Sequence, residues 1–198
     1  MNLPIYKALI EDSNDGILAI SLVEFPATEV DFQTFSKEKE MLSFNVVDEE
    51  KREILCVVMR ADYLIYRRNE YGFEYYIYYD ANTIKEMAQK LLKDHLNNSI
   101  NIEHTDEFVN GVEMIELFIK DTELGINPKG FEEVSNGSLF TRYKVLNNDI
   151  WNKIKDGTFK SISLEGYFST ELVEMSKDDN KEEQLYNEII DLLNKIRK

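Results

Sequence analysis

Residues 158–168 have the sequence TFKSISLEGYF, which is typical of a β-strand. In a strand, odd-numbered positions share one face and even-numbered positions share the other. Ser161, Ser163 and Glu165 are therefore predicted to lie on the same face. Isolated hydroxyls on a strand are usually tolerated without a function, so the pattern alone predicts a strand and no activity.

Short runs of β-branched and large apolar residues predict further strands on the N-terminal side of this segment. The polar cluster DEEKR at 48–52 predicts a turn within one of these runs. Asn-Gly pairs at 110–111 and 136–137 are further turn signals. The predicted strand regions are 16–25, 41–60, 73–79, 99–104, 112–121 and 138–146.

Two segments carry helix signals. A capping box at 83–86 (TIKE) is followed by apolar residues at helical spacing, which predicts an amphipathic helix over about 82–96. Asn148 or Asp149 is predicted to cap a short helix that contains Trp151 and that Gly157 ends. The sequence therefore predicts an α+β fold that is rich in β-structure.

The composition changes after Phe168. Residues 171–198 contain no Gly or Pro, are dense in charge, and place apolar residues at spacings of four and three. Such spacing is typical of a coiled-coil seam, but two heptads are marginal alone. A terminal helix docked on the domain and a helix that binds a partner both remain open. The seam residues are Leu185, Ile189, Leu192 and Ile196.

Composition narrows the class of partner. The chain has 198 residues, with 38 acidic and 23 basic side chains, so its formal charge is −15. Such a surface repels phosphate backbones and anionic lipids, and neither a nucleic acid nor a membrane is expected as a partner. Cys56 is the single cysteine, which excludes an intrachain disulfide, and its apolar neighbours predict a buried thiol.

The residue types available for chemistry are few. With two histidines and one cysteine, no spacing matches a zinc or EF-hand site, and no glycine-rich phosphate loop is present, so no metal or cofactor is expected. His95 falls at the end of a predicted helix, where a structural role is ordinary. His104 follows a predicted strand, where a side chain can reach the rim of a cleft. Glu116 lies in the apolar strand VEMIELFI at 112–119, and a carboxylate there needs a partner.

Taken together, these segments resemble one family. Residues 151–168 (WNKIKDGTFKSISLEGYF) are similar to the "W-x-x-I/V-K-x-G-x-F-x-G-F-S-I-x-G" segment of tailed-phage prohead proteases, in particular the XkdF-type serine proteases of phages and prophages. IEHT at 102–105 and VEMIELFI at 112–119 resemble the family's histidine strand and its "V-E-S-Y/W-I" strand. ISLVEFPA at 20–27 is similar to its opening "S-L-V-x-x-P-A". The motifs occur in the family's order over residues 15–170.

The resemblance implies a fold and a set of site residues. The expected fold is a β-barrel with peripheral helices, like that of herpesvirus assemblins, over residues 1–170, followed by a charged C-terminal helix over 171–198. Ser163 aligns with the family's nucleophile and His104 with its histidine. The sequence departs from the pattern at Ser161, where Gly is commoner. It also has no histidine after Ser163 to act as the third catalytic residue found in assemblins. Glu116 is the first choice for the acid that orients His104, and Glu165 is the alternative.

The resemblance also implies a function. A family member would be a serine endopeptidase that cuts scaffold and capsid-protein segments, and its own flanks, inside a procapsid in the host bacterial cytoplasm. Its expected partners are the phage scaffold and the major capsid protein, and the C-terminal helix is a candidate for homo-oligomer formation. The alternative is a non-catalytic capsid-assembly or scaffold-binding module with the same fold. A third hypothesis is an unrelated small β-barrel binding protein.

Overall fold

The computed structural model describes residues 3–11, 15–24, 45–69, 71–98, 100–105 and 108–174. Within these ranges the chain is β-rich, with two helices and a 3₁₀ turn at Leu96–Asn98. The helices are α1 (Ala81–Lys93) and α2 (Asn148–Lys155). The strands are β1 (Ile5–Leu9), β2 (Gly16–Val23), β3 (Asn45–Asp48), β4 (Glu53–Met59), β5 (Ile65–Arg68), β6 (Glu74–Tyr78), β7 (Ile100–Ile102), β8 (Val112–Ile119), β9 (Leu139–Val145), β10 (Ser161–Tyr167) and β11 (Ser169–Glu174).

The described strands form three open sheets, ordered β11-β1-β6-β5, β10-β2-β7 and β3-β4-β9-β8. The α+β class predicted from the sequence agrees with this architecture. A closed barrel needs its first and last strands to pair, and none of the three sheets closes in this way in the described ranges. The described part of the chain therefore contains no closed β-barrel, in contrast to the barrel expected from the resemblance to assemblins.

Helix α1 covers the core on the side of β2. Its buried residues recur at helical spacing and include Ile84, Met87 and Leu91. The helix begins at Ala81, earlier than the capping box suggested, because the side chain of Asp80 accepts a hydrogen bond from the Thr83 N–H at 2.8 Å. The Thr83 hydroxyl instead donates to the carbonyl of Ala8 at 3.2 Å, so it joins the helix to β1.

The N-cap of helix α2 is Asn147, one residue before Asn148, the earlier of the two predicted caps. The Asn147 side chain accepts hydrogen bonds from the N–H groups of Asp149 and Ile150. Trp151 is buried against the core, and Gly157 follows the helix with φ +78°, a left-handed conformation that suits glycine. The predicted burial of Cys56 is confirmed, because its thiol is free and lies within the core.

The C-terminal boundary differs from the prediction. Residues 171–174, predicted to open the charged helix, lie in β11, which pairs with β1 in antiparallel register from Leu9↔Ser169 to Ile5↔Glu174. These residues form a strand because they pair with β1, and this distant partner cannot be identified from the local sequence. The seam predicted over the rest of 171–198 lies outside the described residues.

Candidate active site

The sheet β10-β2-β7 aligns three polar side chains across its strands. Ser163 on β10 pairs with Ser21 on β2, and Ser21 pairs in turn with Asn101 on β7. Residues paired in this way share a face and have Cβ atoms about 4.5–5.5 Å apart in an antiparallel ladder. On the opposite face of β2, Ile20 and Leu22 are buried in the main core. The sheet therefore has one apolar face and one face with a polar row.

A tight turn after β7 brings His104 to this row. The Thr105 N–H donates to the carbonyl of Ile102 at 3.0 Å, and both residues between them have positive φ, +50° for Glu103 and +56° for His104. Two successive left-handed residues are the feature of a type I′ turn, and neither residue is the glycine or asparagine that such turns prefer. The local backbone is therefore strained where it presents the imidazole.

Glu165 is the centre of the contacts made by His104. The Nδ1 atom of His104 lies 3.1 Å from Glu165 Oε1. The same carboxylate oxygen accepts a hydrogen bond from Asn101 Nδ2 at 2.6 Å. Glu165 is two residues after Ser163 on β10, so both side chains lie on the polar face, as predicted. The structure therefore places the alternative acid, Glu165, beside His104.

Ser21 lies between these groups. Its Oγ is 3.0 Å from His104 Nδ1, 2.7 Å from Glu165 Oε1 and 2.5 Å from Asn101 Oδ1. The single hydroxyl hydrogen can be donated to either oxygen. Ser21 and Asn101 are fully buried, at 0% and 2% exposure, so they form the inner wall of the site. A substrate cannot reach Ser21 from solvent in this arrangement.

The environment of Glu165 favours the carboxylate form. Partial burial of the carboxyl opposes its ionisation. The hydrogen bonds from Ser21, Asn101 and His104 outweigh that cost, and the pKa of Glu165 is held below its usual value. At neutral pH the group is an anion that can accept a hydrogen bond from the Nδ1–H of His104. The tautomer with hydrogen on Nδ1 leaves the Nε2 lone pair free, as a general base requires.

The nucleophile candidate Ser163 is close to this network but is not joined to it by a hydrogen bond among the described residues. Ser163 is 6% exposed and lies opposite Ser21, whereas Ser161 lies opposite Val23, further along the strand. Of the two serines, Ser163 is the one in register with the residue that contacts His104. The assignment of Ser163 as the nucleophile stays a prediction.

Glu116 lies elsewhere. It is on β8 in a different sheet, its side chain is 46% exposed, and its Oε2 is 3.2 Å from Arg142 Nε without the alignment of a hydrogen bond. The assignment of Glu116 as the acid that orients His104 stays a prediction, and no contact in the described ranges supports it. His95 follows α1 with φ +57° and is exposed, which fits a residue that ends a helix.

Gly166 shows why the segment after Ser163 contains a glycine. A Cβ at this position would lie 2.3 Å from the carbonyl oxygen of Gly16 and 2.8 Å from the Phe168 ring. The ladder between β10 and β2 shifts register between Glu165 and Gly166, so the strand bends at this point. The close approach of two backbones therefore sets the position of Glu165.

A groove of about 560 Å³ opens along β10. The residues that line it include 161–168, among them Ser163 and Glu165, and residues 57–60 of β4 and its continuation. Among the described strands, β10 is an edge strand of its sheet, and no described strand pairs with the backbone N–H and C=O groups on its outer side. These dimensions and this edge suit an extended peptide.

Other classes of site are not seen in the part of the chain that the structure describes. Within these ranges no group of three or more His, Cys, Asp or Glu side chains could hold a metal ion. No helix there is both long and apolar enough to cross a membrane.

Sequence reasoning did not identify Ser21 and Asn101 as site residues. Ser21 stood in the quoted segment 20–27, and Asn101 is the polar residue between two apolar ones in β7. A buried asparagine in a short strand is a weak signal, because its partners come from β2 and β10, distant in the chain. Only the strand order brings them together.

A histidine that pairs with an acid beside a strand that carries a serine is an arrangement found in serine hydrolases. A family model described as "Putative phage serine protease XkdF" matches residues 41–172, which is most of the chain and includes His104 and Ser163. The chain belongs to this family. Comparisons with curated proteins and with solved structures give no match.

Proposed function

We propose that the protein is a serine endopeptidase that cuts scaffold and capsid-protein segments, and its own flanks, as a phage procapsid matures in the host bacterial cytoplasm. The observation that carries the proposal is the contact of His104 Nδ1 with Glu165 Oε1 at 3.1 Å, on the face of the sheet that also holds Ser163. Family membership supports the protease class. The maturation role and the relation to assemblins come from the sequence resemblance.

The proposed mechanism uses Nε2 of His104 as the base. As Ser163 Oγ attacks the peptide carbonyl, its proton passes to Nε2 and an imidazolium forms, which the Glu165 carboxylate stabilises. When the tetrahedral intermediate collapses, the C–N bond breaks and Nε2 gives the proton to the leaving amine. Water then repeats the sequence on the acyl-serine and restores the Ser163 hydroxyl. The candidate oxyanion donors are backbone N–H groups on the side of β10 with which no described strand pairs.

The groove determines how a substrate would meet Ser163. Because residues 161–168 line it continuously, a chain bound there in an extended form would run along the strand that carries the nucleophile. His104 does not itself line the groove, and 39% of its side chain is accessible, so the mechanism requires the imidazole to turn toward a peptide bound there. Closure of the gap between Ser163 and Nε2 would accompany substrate binding.

One observation favours a second candidate function. Ser21, which is fully buried, occupies the position next to His104 Nδ1, while Ser163 lacks a hydrogen bond to the imidazole among the described residues. A non-catalytic capsid-assembly or scaffold-binding module would retain such a polar network for structural reasons alone. The C-terminal seam of Leu185, Ile189, Leu192 and Ile196 would then provide self-association or scaffold binding.

Co-expression of the full chain with candidate scaffold and capsid proteins separates the two functions. The protease predicts truncated products on a gel, their loss with Ser163→Ala, and near-normal cleavage with the matched control Ser161→Ala. The assembly module predicts co-purification of intact partners and identical gels for all three chains. Cleavage that survives Ser163→Ala would remove Ser163 from the mechanism.

A further inference from the structure

The groove beside Ser163 has a cationic wall, although the chain as a whole carries a formal charge of −15. Arg60 and Arg67 line the same groove as residues 161–168. Glu165 is the one carboxylate among the described lining residues, and its Oε1 is already held by Ser21, Asn101 and His104. Arginines therefore outnumber carboxylates among the described residues that line the groove.

Arg60 is held in place by an aromatic ring and has unused hydrogen-bonding capacity. Its guanidinium carbon lies 4.1 Å from the centroid of the Tyr63 ring, a cation–π contact that orients the group. Its Nε is buried and has no hydrogen-bond partner in the described part of the chain. A buried N–H without an acceptor costs free energy, and an acceptor that enters the groove would recover it.

Arg67 brings a second positive charge to the same wall. Its Nη1 donates to the carbonyl of Tyr66 at 3.1 Å, which holds the side chain along β5. Burial raises the pKa of Tyr79, another lining residue, and the positive charge of Arg67 acts in the opposite direction on that phenol. The charge of Arg67 therefore acts on the Tyr79 phenol, which lines the groove.

From this placement we propose that the groove selects substrates with an acidic side chain close to the scissile bond, and that Arg60, supported by Arg67, is the residue that binds it. The planar guanidinium of an arginine matches a carboxylate and can bind it through two parallel N–H donors. Hydrogen bonds to charged groups are worth more than neutral ones, so a peptide with Glu should be preferred over its Gln analogue by about tenfold or more. The inference rests on the proposed protease function.

A library of extended octapeptides, digested by the full chain and read by mass spectrometry, tests the preference. A pair of peptides that differ only in Glu or Gln at the enriched position then gives the ratio of kcat/KM values. The expected result is a ratio of about ten or more in the wild type, a ratio near one in Arg60→Gln, and an intermediate ratio in Arg67→Gln. Arg52→Gln is the matched control, because Arg52 lies outside the groove and bonds Asn148.

The outcomes keep the two proposals apart. Cleavage without any preference for Glu would overturn the acidic specificity and leave the protease intact. If no peptide is cleaved, fluorescence anisotropy of the labelled pair on Ser163→Ala decides: tighter binding of the Glu peptide supports the acidic groove without the protease, and equal binding removes both. If Arg60→Gln does not fold by circular dichroism, Arg60→Lys, which keeps the charge, should retain a preference for Glu.

Discussion

The Nδ1 atom of His104 and the Oε1 atom of Glu165 lie 3.1 Å apart, although the two residues come from opposite sides of β2. His104 follows β7, Glu165 is on β10, and β2 separates the two strands in the sheet. Ser21, on β2, contacts both side chains. The width of one strand therefore sets the spacing between the acid and the base.

Replacing Glu165 with Gln tests which acid orients the histidine. Gln keeps the shape but removes the charge that stabilises an imidazolium, so kcat should fall by about a thousandfold or more with little change in KM. Glu116→Gln is the matched control, because this carboxylate pairs with Arg142 at the surface of another sheet. Its kcat should stay within about twofold, since exposed ion pairs contribute little. An inactive Glu116→Gln beside an active Glu165→Gln would return the role to Glu116.

Local pattern was sufficient for much of the fold. β10 and β9 lie within predicted strand regions because their runs of residues suit strands without help from distant segments. β1 (IYKAL) and β5 (IYRR) were not predicted, because they are short and carry charges. They are strands because β6 pairs with both of them. Tertiary pairing supplied what propensity could not.

The site was predictable only in part. Ser163, His104 and Glu165 stand in motifs that can be recognised along the chain, whereas the contacts of Ser21 and Asn101 depend on parallel pairing between β2 and β7. The prediction of Glu116 rests on a strand sequence that is apolar on both faces except for its carboxylates. Among the described strands β8 is an edge strand, and the Glu116 side chain is 46% exposed, so this carboxylate does not need a buried partner. Burial of a strand's two faces cannot be read from its own residues.

Gly166→Ala should destabilise the fold. Its Cβ would lie 2.3 Å from the Gly16 carbonyl oxygen, so β10 and β2 must separate, at a cost of about 1–3 kcal/mol. Thermal unfolding measures this as a lower Tm, by about 2–4 °C for each kcal/mol in a chain of this size. Gly125→Ala is the comparison. Its φ of +77° strains any side chain, but no atom lies within 4 Å of the new Cβ, so its loss of stability reports backbone strain without a steric contact. A larger loss in Gly125→Ala would show that the contact with Gly16 is not limiting.

Asp80 should stabilise α1 in two separable ways. It caps the helix through the Thr83 N–H, and its Oδ2 lies 2.6 Å from Lys7 Nζ. Asp80→Ala loses the cap and should lower the free energy of unfolding by about 1 kcal/mol, whereas Asp80→Asn keeps a good cap and should cost less. Urea unfolding at pH 7 measures both variants. Equal losses in Ala and Asn would mean that the charge and not the cap is what matters.

The same pair of variants has a pH dependence. Burial opposes ionisation of Asp80, but the hydrogen bonds from Lys7 and Thr83 outweigh it and lower the pKa of the carboxyl. Because the folded pKa lies below the unfolded value of about 3.9, the charge contributes stability above that pH and loses it as the pH falls through the folded pKa. The difference between wild type and Asp80→Asn should thus be constant from about pH 5 to 7 and shrink toward pH 3. A difference that grows on acidification would contradict the assignment.

The choice between Ser163 and Ser21 as nucleophile can be made by covalent labelling. A fluorophosphonate phosphonylates an activated serine, with fluoride as the leaving group. Peptide mass spectrometry then locates the adduct. We expect the adduct on Ser163, because Ser21 is 0% exposed and its hydroxyl is held within 3.0 Å by three neighbours. Ser163→Ala should lose the label and nearly all cleavage without loss of stability, since one hydroxyl on a strand contributes little.

Ser21→Ala is the matched variant and should behave differently. It leaves Asn101 Oδ1 without its donor in a buried place, so unfolding should become easier by about 1–3 kcal/mol. The label on Ser163 should persist, and kcat should fall by about tenfold, because Ser21 positions the imidazole and does not touch the substrate. The pH profile of kcat should shift in Ser21→Ala, a change that a purely structural residue would not cause. An adduct on Ser21 would make Ser21 the nucleophile and would require this face of the sheet to open before catalysis. Full activity of Ser163→Ala with loss of activity in Ser161→Ala would instead move the nucleophile to Ser161.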